Sequence, residues 1–89
     1  MAGAVTPTLI LRENAGSVIL HIATFAATTD DGDTYASGIS DVVGWWGNCT
    51  DDSTGADYNG VDISESSGTF TFNLGEDNRS LMLYVLSEQ

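Results

Sequence analysis

A chain of 89 residues carries thirteen acidic side chains against two basic ones, Arg12 and Arg79, with no lysine, for a net charge of −11. Lys and Arg are what displace counterions from phosphate, so the composition argues against nucleic-acid binding and, by the same repulsion, against an anionic membrane surface. One cysteine, Cys49, and one histidine, His21, allow neither an intrachain disulfide nor a tetrahedral Cys/His zinc site, which leaves oligomerisation as the usual supplement to so small a core.

The chain reads as one domain, 1–89, whose residues 1–7 form a flexible N-terminal arm ending at the sole proline, Pro7. Beyond it the apolar pattern has the period of strands, and nothing reads as a helix of three turns. Residues 8–12 alternate with Leu9 and Leu11 on one face, and Asn14-Ala15-Gly16 turns the chain. Residues 17–25 form a long strand rich in β-branched side chains, apolar on both faces. Its run Val18-Ile19-Leu20 stops at His21, far short of the ~18 apolar residues that span a bilayer. Residues 28–34 make an acidic turn, and 35–39 a short strand or edge. Residues 41–50 contain Val42-Val43-Gly44-Trp45-Trp46, a strand expected to bulge or bend at its glycines. Residues 51–59 are a polar loop, Val61 and Ile63 flank Asp62 in a short strand, and Glu65-Ser66-Ser67-Gly68 turns the chain again.

The clearest alternation follows. Phe70, Phe72 and Leu74 point one way, and Thr69, Thr71 and Asn73 the other, which describes a strand with one buried and one wet face. After the turn Gly75-Glu76-Asp77-Asn78, residues 80–86 place Leu81, Leu83 and Val85 on one face and Met82, Tyr84 and Leu86 on the other. These last two strands read as a hairpin. About seven short strands in all predict an all-β, single-domain antiparallel β-sandwich or small barrel. Its expected core is Phe70, Phe72, Leu74, Leu81, Leu83, Val85, Val61 and Ile63. A strand apolar on both faces, in a domain this thin, is either central or packed on a neighbouring subunit. Met82, Tyr84 and Leu86, with Trp45 and Trp46, are therefore the expected interface, and a homo-oligomer is the expected state.

Each chemical alternative meets an obstacle in the residues themselves. Asp30-Asp31-Gly32-Asp33 invites a calcium loop, but the alternate positions that should supply ligands hold Gly32, Thr34 and Ala36, and the twelfth position is Asp41 rather than Glu. It reads as a solvated Asp-Gly turn, and the second acidic run, Asp51, Asp52 and Asp57, as weak divalent binding at most. Trp45 and Trp46 are strand neighbours and point to opposite faces, so they make no flat sugar platform; one should enter the core and the other face solvent or a partner. His21 lies in a strand without a framed nucleophile and reads as half-buried. Asp51 and Asp52 would raise the Cys49 thiol, against reactivity. No metal, cofactor or catalytic residue is expected, and the chain reads as no enzyme. Residues 1–7 lack the basic start of a secretion signal, so the chain is expected to be made in a cytoplasm and to stay soluble, with its two N-x-S/T sequons there by chance.

The run Gly32-Asp33-Thr34-Tyr35-Ala36-Ser37-Gly38-Ile39, then Val42-Val43, and the closing Ser67-Gly68-Thr69-Phe70-Thr71-Phe72 with its final apolar strand resemble the small all-β proteins of tailed-phage structural modules. The likeness covers residues 17–86 and rests on turn chemistry. It implies a virion component, a head decoration or cement protein that binds the major capsid protein on the outer shell as a small oligomer, with a trimer favoured. It assigns no functional residue. The alternative is a tail-associated or extracellular carbohydrate-binding β-sandwich using an exposed Trp.

Overall fold

The structure is a computed structural model that describes residues 3–50, 61–75 and 77–88; the polar loop at 51–59 and its acidic residues lie outside the described residues. Seven strands appear among the described residues: β1 (Leu9–Ala15), β2 (Val18–Thr29), β3 (Thr34–Ala36), β4 (Val42–Cys49), β5 (Asp62–Ser66), β6 (Thr69–Asn73) and β7 (Arg79–Glu88). They form two antiparallel sheets, one of four strands in the order β1-β2-β7-β4 and one of three in the order β3-β6-β5. The expected all-β sandwich is the fold.

Alternation places the core between the sheets. Phe70, Phe72 and Leu74 from one sheet meet Leu81, Leu83, Val85, Ala23, Phe25 and Cys49 from the other, all buried. Val61 and Ile63 are half-buried against this cluster. Phe25 joins the sheets: its ring lies edge-on to Phe72 at 5.0 Å and to Tyr35 at 5.1 Å. Edge-to-face pairs of this kind add about 0.5–1.5 kcal/mol beyond the area they bury.

Two hairpins have two-residue turns. Ala15 pairs with Val18 across Gly16 and Ser17, and Ser66 pairs with Thr69 across Ser67 and Gly68. Ser67 and Gly68 both have positive φ, at 51° and 85°, the backbone of a type I′ turn. A Cβ on Gly68 would lie 2.6 Å from the carbonyl oxygen of Ile39. Gly68→Ala is therefore expected to destabilise the fold by about 1–3 kcal/mol, through strain and overpacking together. A urea titration with an unchanged slope and a lower midpoint is the check.

Three expectations change. Strands 69–74 and 80–86 are not a hairpin: β6 pairs with β3 and β5, while β7 pairs with β2 and β4 in the other sheet. The chain crosses between the layers after Asn73, through Gly75 and Asn78 at positive φ. β7, apolar on both faces, takes a central place between the two longest partners available. The acidic turn is also more than solvated. Asp33 accepts from the N–H groups of Gly3 and Asp30, Asp31 from those of Leu74 and Gly75, Asp30 from Asn78 and Asp77 from Asp31. These carboxylates clasp the β2–β3 loop to the β6–β7 crossing, and the Asn78 N–H, the largest cause, holds Asp30 below the usual carboxylate range. Finally, the segment read as an arm is paired over residues 3–5: the Val5 N–H donates to Thr34 O at 2.8 Å, and the Thr34 N–H to Gly3 O at 2.9 Å. Past Pro7 the chain changes sheets, and the Thr8 N–H donates to Thr24 O.

Candidate interaction surface

One face of each sheet lines the core; the outer face of the four-stranded sheet has no layer over it among the described residues. Register fixes what that face presents. Leu11 lies opposite Ile22, Ile22 opposite Tyr84, and Tyr84 opposite Trp46, one apolar row across all four strands. Beside it run Glu13, Leu20, Leu86 and Gly44 on one flank and Leu9, Thr24, Met82 and Asn48 on the other. A sheet with one solvated face normally alternates apolar in and polar out. Here the outward positions of the paired strands carry only two charges, Glu13 and Glu88, both toward one end, and no cation.

Four of the five expected interface residues meet on this face: Met82, Tyr84, Leu86 and Trp46. The Trp46 ring stacks on Tyr84 at 5.1 Å and 9°, and remains 49% exposed. The Tyr84 hydroxyl reaches the Met82 sulfur at 3.6 Å. Trp45 is not part of this surface. It leans from the inner side of β4 over the margin of the core, where its indole N–H donates to Ile63 O at 3.0 Å and its ring meets Phe70 edge-on at 6.2 Å. It is 37% exposed, so it closes the side of the sandwich without entering the interior. Leu11, Leu20 and Ile22 complete the face; Leu11 belongs to the alternation of residues 8–12, and the apolar second phase of residues 17–25 was the signal for the other two.

His21 is more buried than its sequence context suggested. It is 6% exposed, and its Nε2 lies 2.8 Å from the Ser87 hydroxyl oxygen. Burial, and then the nearby Arg12 cation, lower its pKa below the ordinary 6.5. The sign of the linkage follows. The unfolded chain takes up this proton at about pH 6.5 and the folded chain only at lower pH, so stability falls as pH drops between the two values. Within that window the slope from this one group is at most about 1.4 kcal/mol per pH unit. His21→Gln should remove it. Urea midpoints of the two proteins are expected to converge, or to cross, between pH 7 and pH 5; parallel profiles would refute the assignment.

Cys49 is buried opposite Leu81. Among the described residues no group of three or more His, Cys, Asp or Glu side chains is placed to hold a metal ion, and no helix is long and apolar enough to cross a membrane. No family model matches the chain, and neither a curated protein nor a solved structure matches it.

Proposed function

We propose that this chain is a non-enzymatic structural assembly protein that docks through the outer face of its four-stranded sheet, and that the surface it covers is the outer shell of a tailed-phage capsid. The observation that carries the reading is the row Leu11, Ile22, Tyr84 and Trp46, apolar across four strands on a face that would otherwise be solvated. Contiguous exposed apolar area on that scale marks an interaction site. The capsid itself is the implication of the sequence resemblance. The partner's chemistry follows from charge: an apolar patch bordered by Lys or Arg complements a face whose outward strand positions, among the described residues, carry only Glu13 and Glu88 as charges, on a molecule of net charge −11. Repulsion between copies is screened beyond about 8 Å at physiological salt, so contact burial at ~25 cal/mol per Å² also permits a small homo-oligomer, a trimer by the same resemblance, on the shell.

The test mixes purified protein with shells assembled from a tailed-phage major capsid protein and pellets them. Saturable co-sedimentation that weakens with salt is expected. A chain that stays monomeric in sedimentation velocity and leaves such shells bare overturns the reading. Hits on a glycan array, lost in Trp46→Ala, would favour the carbohydrate-binding alternative instead.

A further inference from the structure

The three-stranded sheet is narrower than the four-stranded one, and the mismatch opens a cleft under β1 on the core side. It has a volume of about 350 Å³. Its floor is core, Ala23, Leu83 and Val85, none more than 5% exposed, so the apolar surface open to a ligand is on the walls, at Ile10, Ile19, Tyr35 and Ile39, beside Ser37 and Ser40. Ile10 on its wall is 51% exposed, although it points to the core side. Two polar side chains are set into the floor, His21 and Ser87, hydrogen-bonded to each other and each more than nine-tenths buried. That bond uses Nε2, and Nδ1 makes no hydrogen bond to another described residue. Arg12, directly across from His21, also lines the cleft. It is the one basic side chain at the surface, since Arg79 is buried.

Buried polar groups on an otherwise aliphatic floor are the informative departure in a core of this size. A pocket of this volume with an apolar body and a few convergent polar groups is the usual build of a small-molecule site. The polar end holds a guanidinium, whose planar fork matches a carboxylate. Burial, and then the nearby Arg12 cation, lower the His21 pKa, which favours the uncharged imidazole and leaves Arg12 as the cleft's cation. A singly charged head with an alkyl body fits where a phosphate does not.

We propose that this cleft binds an aliphatic monocarboxylate, its carboxylate on Arg12 and the His21–Ser87 pair and its alkyl chain along Ile10, Ile19 and Ile39. The site lies on the side of the sheet opposite the Tyr84 row and does not depend on the docking reading.

The probes are hexanoate, octanoate and decanoate, with octanol as the uncharged control, titrated into the whole chain and followed by methyl chemical shifts and calorimetry. Shifts are expected at Ile10, Ile19 and Ile39, with affinity rising roughly fourfold per methylene until the cleft is full. Arg12→Gln is expected to weaken octanoate at least tenfold and to leave octanol unchanged, which also shows that the variant keeps its cleft. Equal binding of octanoate by both proteins overturns the proposal. So do shifts confined to Leu11, Ile22 and Leu86, and so does an absence of shifts at Ile10, Ile19 and Ile39.

Discussion

Phe72→Ala is expected to cost the fold about 3–5 kcal/mol, the usual range for truncating a fully buried aromatic side chain. Phe72 is fully buried in the middle strand of the three-stranded sheet, so no edge can collapse into the space it leaves. Its ring also supports Phe25, which in turn meets Tyr35, so one truncation loosens the aromatic contacts between both layers. Its backbone is committed as well: its N–H donates to Asp33 O, and its carbonyl accepts from Gly32 N–H at 2.7 Å. At about 0.05–0.15 kcal/mol per residue, a domain of this length has little beyond that loss to spare. Urea unfolding should show the midpoint fall sharply. A loss under about 1 kcal/mol would mean that the layers are not packed as described.

Tyr84→Asp is expected to leave the isolated fold in place and to abolish assembly. Tyr84 is half-buried at the centre of the outer row, and its stack on Trp46 contributes about 0.5–1.5 kcal/mol. An aspartate there in the unassembled chain keeps its water, because none of the described residues covers the face; the loss in fold stability should stay near 1–2 kcal/mol. In the docked state the same carboxylate would be buried without a partner, at a cost of several kcal/mol. At 1.4 kcal/mol per decade that is more than a hundredfold in affinity. Tyr84→Phe keeps the ring and should assemble like the parent. Sedimentation velocity and shell pelleting read both variants; assembly of Tyr84→Asp at the parent's affinity would remove the outer face from the account.

The core was legible where alternation was strict. Of the eight residues expected inside, Phe70, Phe72, Leu74, Leu81, Leu83 and Val85 are fully buried, and Val61 and Ile63 pack against them. Phe25 escaped notice because residues 17–25 are apolar in both phases, which hides the direction of the core. Strand partners escaped for a different reason. A turn such as Gly75-Glu76-Asp77-Asn78 can close a hairpin or carry the chain between sheets, and only the packing of β7 between β2 and β4 decides. The aspartate clasp and the His21–Ser87 pair join residues far apart in sequence, up to 66 positions for the latter, so no local pattern announces them. The interface residues were half legible: Met82, Tyr84 and Leu86 follow from one strand's second phase, whereas the places of Trp45 and Trp46 depend on the register shift between Val42 and Gly44. Gly47, read only as a point of flexure, is small because Ile63 and the Met82 carbonyl oxygen come within 2.8 Å of where its Cβ would stand.

The most direct test of the docking face is hydroxyl-radical footprinting of the chain free in solution and bound to capsid shells. Four readily oxidised side chains divide between the two sides, with Trp46, Tyr84 and Met82 on the outer face and Trp45 on the opposite side of the same sheet. Binding is predicted to protect Trp46, Tyr84 and Met82 together and to leave Trp45 labelled as in the free chain. Unchanged labelling of the outer three on bound shells, or protection of Trp45 alone, would contradict the account.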